Sequence, residues 1–481
     1  MARVSPRVEE ERPSRRAAKG SSEDLSFASV RTLGQLLRRR AVSAVELARH
    51  FHERLERVGT RYNAVAQLTP ELALRQAEAA DRRLRRPNAP PLTGIPYGPK
   101  DLLATAGIPT RWGSRAYKDQ VFDYDATLIQ RLQAAGAVLV AKLALVELAG
   151  AVRYGSPSSS MHGPGRNPWD RERWSGGSSS GSATAVGVGA VPFSIGSETG
   201  ASLVLPAAFC GVSGLRPSFG AVSKYGAMAL AWSTDRLGPL AHTAEDCALV
   251  LAAIAGRDEH DGTTVDWTFE KPPARRSFRL GVLPNDFTGN PATAKAFEQA
   301  LRVLRRQGHR LKNVALPDYD YATIYRAISY AEAAALHEEF IRSDRIELMT
   351  NAVHREALRA TLDVPPLAYV RAAEQRVAVT RAIRDIFKDY DALVAPTALV
   401  EAPAIDADLT TLYGPRRGGN TYVGALAGLP ELSVPMGFSP NDMPLGLSFI
   451  GDVLADGKLL RLGMDFQRET DWHLRRPPVD A

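Results

Sequence analysis

The sequence predicts an α/β fold, and two of its features support that prediction. Helix-like segments alternate with short apolar runs that have the length and composition of buried strands, which is typical of α/β proteins. The chain has 481 residues, of which 44% are apolar, so it can bury a large core. Length alone leaves open whether this core is one large domain or two or three smaller ones.

Charge and cysteine content narrow the class of protein. Residues 1–40 hold ten Lys/Arg and five Asp/Glu, so this segment accounts for most of the net charge of +7. The rest of the chain has little net charge and therefore indicates no nucleic-acid groove. The two cysteines, Cys210 and Cys247, suggest neither a disulfide framework nor a metal site, which favours a reducing, cytoplasmic location. No apolar run reaches the roughly 18 residues that span a bilayer.

The N-terminal part is predicted to be a tail followed by helices. Residues 1–27 are charged and aperiodic, so we expect a disordered basic tail. Thr32 with Gln35, and Ser43 with Glu46, have the spacing of a capping box. The second pair is expected to open a helix with one apolar face formed by Leu47, Phe51, Leu55 and Val58.

The elements expected further along are helices over 70–85, 126–135, 243–255 and most of 319–390, and strands over 137–141, 190–195, 279–283, 391–397, 432–435 and 447–450. A polar, Pro-containing linker is expected over 257–275. Pro365 and Pro366 are expected to interrupt the long helical region.

The stretch 176–217 organises the chain. Two Ser-rich turns, 176–182 and 197–202, flank the apolar run 190–195, which is interpreted as a buried strand. Gly and Ser allow tight turns and a close approach of the backbone to another group. The alternative is a flexible Gly/Ser linker, but linkers are not normally interrupted by strand-like runs.

A serine nucleophile needs a base, and the central stretch contains no histidine. A neutral lysine can serve instead, provided that burial lowers its pKa. Lys100 follows Pro96 and Pro99 and precedes two leucines, so it is well placed for burial. An ion pair between Lys100 and Asp101, or a surface position, is an equally good interpretation from physics alone.

Residues 177–181 also match G-x-S-x-G, the nucleophile elbow of α/β-hydrolases. That elbow follows directly on an apolar strand. The preceding residues 168–175 are mostly polar, so the match is interpreted as an accident of a Gly/Ser-rich run.

Taken together, these residues resemble the amidase signature family. The motifs that carry the resemblance are GIPYGPKDLLATAGIPTRWGS at 94–114, GPGRNP at 163–168, GGSSSGSA at 176–183, SETGASLVLPAAFCGVSGLRPSFGAVSKYG at 197–226, and shorter matches at 396–397, 428–430, 434–437 and 444–447. The resemblance implies a large mixed, twisted sheet with helices on both faces. It also implies one catalytic domain over 28–476, a pocket lined or covered by 319–390, and a C-terminal tail over 477–481.

The resemblance further implies a Lys–Ser–Ser triad. Ser202 would be the nucleophile, Ser178 the proton relay after a cis Gly177–Ser178 peptide, and Lys100 the base. The implied oxyanion hole consists of the backbone N–H groups of Thr199, Gly200, Ala201 and Ser202. The implied mechanism needs no metal and no organic cofactor.

Three residues depart from the family pattern. Ala201 stands where the family has a second glycine, Glu198 where it has aspartate, and Val204 where it has arginine. Alanine would cost roughly 1 kcal/mol or more if position 201 required a positive φ. The missing arginine leaves an apolar segment, 203–205, which favours apolar substrates over zwitterionic glutamine.

We therefore expect a stand-alone hydrolase of small, largely apolar or aryl amides, with carbamates (urethanes) and esters as further substrates. The expected partner is the small-molecule substrate, not nucleic acid or membrane, and the expected state is a monomer or homodimer. Two alternatives stay open: the glutamine-hydrolysing subunit of a tRNA-dependent amidotransferase, and a non-catalytic binding subunit with the same fold.

Overall fold

The computed structural model describes residues 25–479 apart from 153, 270, 275, 276, 286, 289 and 411–418. The strands are β1 (Val65–Leu68), β2 (Pro96–Pro99), β3 (Val138–Leu139), β4 (Ala141–Leu143), β5 (Phe193–Glu198), β6 (Ser213–Arg216), β7 (Arg236–Ala241), β8 (Arg279–Val282), β9 (Arg310–Asn313), β10 (Ala392–Pro396), β11 (Glu431–Phe438) and β12 (Pro444–Ile450).

The α-helices are α1 (Val30–Arg38), α2 (Ala44–Arg54), α3 (Pro70–Arg83), α4 (Thr127–Ala134), α5 (Ser180–Gly187), α6 (Val204–Cys210), α7 (Ala244–Ile254), α8 (Pro291–Arg306), α9 (Tyr321–Arg342), α10 (Ala352–Arg359), α11 (Pro366–Ile386), α12 (Gly419–Leu426) and α13 (Asp456–Glu469).

One mixed ten-stranded sheet has the order β3-β2-β5-β7-β6-β11-β12-β10-β8-β9. Pairing is parallel towards both ends and antiparallel from β5 across to β10. All residues of β2, β6, β7 and β12 are buried, so both faces of the sheet are covered there. The predicted α/β fold, with a large central mixed sheet flanked by helices, is confirmed.

Helix α2 begins as predicted, whereas α1 does not. Ser43 and Glu46 form a reciprocal capping box at α2. The box predicted for Thr32 and Gln35 is wrong, because α1 begins one turn earlier and Ser29 is its cap, accepting the Thr32 N–H. The predicted apolar face of α2 is buried and continues through a π-helical turn at Leu55–Gly59.

The observed strands differ in extent from several predicted ones, as two examples show. The run 137–141 is divided into β3, which pairs with β2, and β4, which pairs with β1. The run predicted over 190–195 is strand only from Phe193, and it continues to Glu198 because the ladder with β7 extends that far. Pro192 lacks a backbone N–H and so lies outside the ladder.

The region 319–390 is largely helical, as predicted, and α11 begins at Pro366 after the predicted interruption. Helices α9, α11 and α12 share an apolar cluster with β10, which includes Ile324, Val379 and Leu426. This cluster anchors the helical region against one face of the sheet at β10, an interior strand.

Packing extends beyond the predicted domain limits at both ends. Residues 1–24 of the predicted tail lie outside the described residues. Ser26 and Phe27 are already buried, and at the other end Val479 is buried in the core. The packed chain is therefore longer than 28–476. No helix in the described part of the chain combines the length and apolar character that a membrane span requires.

Candidate active site

Lys100 lies in the centre of the fold, directly after β2. Its backbone N–H donates to the Ile195 carbonyl of β5 at 2.9 Å, which continues the parallel pairing of these two strands. The side chain is fully buried. The two prolines of β2 therefore lead the chain into the core, as the sequence suggested, and the surface position is excluded.

The ammonium nitrogen of Lys100 meets only hydroxyl groups among the described residues. Nζ lies 2.7 Å from Ser178 Oγ, 2.8 Å from Ser197 Oγ and 3.1 Å from Ser179 Oγ. Burial holds the pKa of Lys100 well below its ordinary value, and the more distant carboxylates of Asp235 and Glu198 oppose this only in part. This environment favours the neutral form of the lysine, which is the form that can act as a base.

The ion pair between Lys100 and Asp101 does not form. Asp101 instead lies 3.1 Å from Lys142 Nζ, and both side chains are fully buried. The other oxygen of Asp101 accepts the Arg111 N–H at 3.0 Å. The negative charge of Asp101, the residue after Lys100, is thus neutralised by Lys142 and not by Lys100.

Ser178 lies in the first Ser-rich turn, just before α5. The Gly177–Ser178 peptide bond is cis, as the resemblance implies. The Ser178 carbonyl accepts the Val146 N–H at 3.1 Å, and a Cβ at Gly177 would lie 2.8 Å from Trp174 and Val146. The residues before this turn do not form a strand, so the nucleophile-elbow interpretation lacks its structural context.

Ser202 lies beside the first turn and lines a cavity of about 630 Å³. Its carbonyl accepts the Ser179 N–H at 3.0 Å, which brings the two Ser-rich turns into contact. Within the described residues no hydroxyl–hydroxyl hydrogen bond joins Ser202 to Ser178. Catalytic hydrogen bonds are often formed only when substrate is bound.

The second Ser-rich turn has free backbone donors and borders the same cavity. The N–H groups of Thr199, Gly200, Ala201 and Ser202 have no acceptor in the described part of the chain, and all four residues line the cavity. Ala201 does not have a positive φ, so the strain considered for alanine at this position is absent. This turn can therefore accept the alanine without distortion.

A buried ion network supports the second turn from behind. One Glu198 oxygen accepts the N–H groups of Leu203 and Val204 at 2.8 and 2.9 Å, and the other lies 2.6 Å from Arg216. Arg216 also lies 2.9 Å from Glu431. Although burial acts to lower the pKa of Arg216, the two carboxylates raise it.

Replacing Arg216 with methionine is expected to lower the free energy of unfolding by about 3–5 kcal/mol, because two buried carboxylates lose their partner. Urea unfolding at pH 7 measures the change. As a control, Arg342→Met removes an exposed pair with Glu338 and should cost about 0.5 kcal/mol or less. Equal losses in both variants would contradict the role assigned to the network.

Two polar residues of the site are not predicted from sequence. Ser197 lies beyond Ile195, where the predicted strand ends. Side chains alternate between the two faces of a strand, so extending the predicted strand by two residues would have placed Ser197 on the same face as Ile195. Asp235 accepts a hydrogen bond from Thr199 Oγ1 at 2.6 Å across 36 positions of sequence. No local pattern indicates a contact of that kind.

The cavity itself is mostly apolar. Its lining comprises Ala149, Gly150, Ala151, Val152, Tyr154, Gly177, Thr199, Gly200, Ala201, Ser202, Leu205, Leu230, Tyr325, Arg326, Ser329, Tyr330, Ala357, Ala360, Thr410 and Tyr422. Among these described residues Arg326 is the single charged side chain, and it is exposed. In the described part of the chain no three His, Cys, Asp or Glu residues are grouped to hold a metal.

Known proteins resemble the chain over almost its whole length. The family model described as Amidase matches residues 46–460. The A subunit of the glutamyl-tRNA(Gln) amidotransferase of Methylococcus capsulatus is 37% identical, covering 93% of this chain and 98% of the relative. The corresponding protein of Chloroflexus aggregans is 38% identical, covering 95% and 99%.

Solved structures agree with the fold. The native peptide amidase of Stenotrophomonas maltophilia has a TM-score of 0.81 and 31% identity, covering 94% of this chain and 99% of that one. A bacterial aryl acylamidase of the amidase signature family has a TM-score of 0.83 at 21% identity, which supports the fold alone.

By its fold and by its relatives, the molecule is an enzyme that hydrolyses amide C–N bonds. The chain belongs to the amidase signature family. The curated relatives named above are amidotransferase A subunits, which is the subtype that the missing arginine disfavoured. These relatives do not identify the substrate of this chain.

Proposed function

We propose that this enzyme is a stand-alone serine hydrolase of small, largely apolar or aryl amides, with carbamates and esters as further substrates. The observation that carries the proposal is the cavity next to Ser202. Its lining has four tyrosines and several aliphatic side chains, and in its described part Arg326 alone is charged. Such a surface favours burial of apolar groups.

In the proposed mechanism Ser202 attacks the carbonyl carbon of the substrate. Its proton passes to Ser178, while Ser178 passes its own proton to neutral Lys100. The negative charge that develops on the carbonyl oxygen is stabilised by the free N–H groups of the turn 199–202. The proton then returns through Ser178 to the departing amine, and water hydrolyses the ester on Ser202 by the same path.

Glutamine hydrolysis is the second candidate, favoured by the amidotransferase A subunits among the relatives. Glutamine carries a carboxylate and an ammonium group, and each needs a partner when it is buried. Arg326 could meet the carboxylate. Among the described lining residues no carboxylate is available for the ammonium group, which weighs against this candidate.

A turnover screen over p-nitroanilides, aryl carbamates, p-nitrophenyl esters and glutamine separates the candidates. We expect kcat/KM on an apolar anilide to exceed that on glutamine by at least about 100-fold, because burying an unpartnered charge is costly. A higher rate on glutamine, lost in Arg326→Gln, would establish the second candidate. Absence of turnover, together with absence of fluorophosphonate labelling, would indicate a non-catalytic binding subunit.

A further inference from the structure

Asp235 carries a carboxylate that the mechanism above does not use. The residue is half-buried and lies directly before β7, and burial raises the pKa of its carboxyl group. One oxygen accepts the Thr199 hydroxyl at 2.6 Å, and the other accepts the N–H groups of Leu230 and Ala231 at 2.7 and 2.9 Å. Three donors from two separate segments thus converge on one side chain.

The two segments held by Asp235 both line the large cavity beside Ser202. Thr199 opens the turn that presents the free N–H groups, and Leu230 is part of the apolar lining of the same cavity. Asp235, Thr199 and Leu230 also border a small enclosed cavity of about 50 Å³, which reaches Ser197 beside Lys100. We call the turn 199–202, with its free N–H groups, the oxyanion turn. Asp235 therefore lies where the oxyanion turn, the wall of the substrate cavity and the residues around Lys100 meet.

We propose that Asp235 is a positioning residue that fixes the oxyanion turn, through the Thr199 hydroxyl, relative to the Leu230 wall of the substrate cavity. A displacement of about 1 Å in such a donor can cost about 100-fold in rate. A carboxylate suits the role because it accepts hydrogen bonds at both oxygens simultaneously. This inference rests on the proposed function, since it assigns Asp235 to the donors that the mechanism uses.

Asp235→Ala is expected to lower kcat by about 100-fold or more, the scale of losing one oxyanion donor, and to raise KM, because Leu230 also loses its anchor. Asp235→Asn should lose less than about tenfold. The amide oxygen can accept the N–H groups of Leu230 and Ala231, and the amide nitrogen can donate to Thr199 Oγ1. Equal losses in the two variants would overturn the positioning role.

A double-mutant cycle tests the path through Thr199. Thr199→Val keeps the backbone N–H group and removes only the hydroxyl. If Asp235 acts through that hydroxyl, the kcat of Thr199→Val combined with Asp235→Ala should be no lower than that of Asp235→Ala alone. Multiplicative losses would show that Asp235 does not act through Thr199.

The negative charge of Asp235 also favours the protonated form of Lys100. Asp235 raises the pKa of Lys100, although burial lowers it more. Other charged or titratable groups around this centre include Glu198, Lys224, Arg236, Tyr325, Glu332 and Arg376. Asp235→Asn leaves these in place, so the acidic limb of its kcat/KM profile should move to lower pH. An unchanged limb would argue that Asp235 only holds the fold together.

Asp456 provides a matched control. Its side chain is fully buried, and it accepts the hydroxyl and the N–H of Ser218 at 2.6 and 2.9 Å, outside the cavity lining. Asp456→Asn should lower the midpoint of thermal unfolding while leaving kcat/KM within about twofold at temperatures well below that midpoint.

The rate of Ser202 labelling by a fluorophosphonate is measured in parallel for each variant, because labelling also uses the oxyanion turn. Labelling of the parent enzyme without amide turnover would reject the proposed substrates, yet the Asp235 variants could still be ranked by labelling rate. Turnover in the parent with unchanged rates in Asp235→Ala would reject the Asp235 inference alone.

Discussion

Ser202→Ala is expected to lower kcat on an apolar p-nitroanilide by at least about 10⁴-fold. Without the hydroxyl no acyl-enzyme can form, so only the turn 199–202 and substrate binding remain to accelerate attack by water. KM should change little, since the cavity lining is intact. Steady-state kinetics measure the effect, and loss of fluorophosphonate labelling identifies the nucleophile independently.

Ser194→Ala is a suitable control for Ser202→Ala. Ser194 is a fully buried serine of β5 whose hydroxyl donates to the Ser182 carbonyl at 2.8 Å, outside the cavity lining. We expect it to lower stability modestly and to leave kcat/KM within about twofold. A Ser202→Ala enzyme that retained the parent's rate would disprove the proposed nucleophile.

Lys100→Met is expected to lower kcat on amides by about 10³–10⁴-fold and on p-nitrophenyl esters by much less. Both reactions lose the base that activates Ser202. The amide loses more because an amine leaving group must receive a proton, whereas p-nitrophenolate departs without one. The ratio of the two losses is the informative quantity, and equal losses would count against Lys100 as the source of the returned proton.

The same substitution should raise stability at neutral pH. Because the pKa of Lys100 is lower in the folded state than its ordinary 10.5, the unfolded chain binds more protons between those two pKa values. The free energy of unfolding of the parent should therefore rise with pH in this window, by up to about 1.4 kcal/mol per pH unit. Above pH 10.5 the lysine is neutral in both states, so its burial no longer carries the cost of a buried charge. Lys100→Met removes this dependence.

Lys142→Met is the matched comparison for stability. Lys142 is buried to the same extent, but it lies 3.1 Å from the Asp101 carboxylate and 2.7 Å from Thr110 Oγ1. Its removal leaves a buried carboxylate unpaired and should cost about 3–5 kcal/mol. Opposite signs for the two lysines at pH 7, measured by urea unfolding, are the expected result; destabilisation of similar size in both would contradict a neutral Lys100.

The α/β class and most elements were predictable because they depend on local patterns. The period of apolar residues in α2, the prolines that lead to Lys100 and the strand within 190–195 can each be recognised in a short window. The missing arginine at Val204 led to the prediction of an apolar substrate, and this stays a prediction. Errors occurred at element ends, where the partner strand decides how far a ladder continues.

The sequence by itself determined which groups are chemically available: a lysine in an apolar setting, two Ser-rich turns and the strand between them. Only the tertiary structure decided their partners. Ser197 rather than Asp101 contacts Lys100, Arg216 lies between Glu198 and Glu431, and Asp235 reaches Thr199. The physical reason is that burial removes water as a partner, so each polar group must take whichever complement the folded chain brings near it, and that choice is made by elements far apart in sequence.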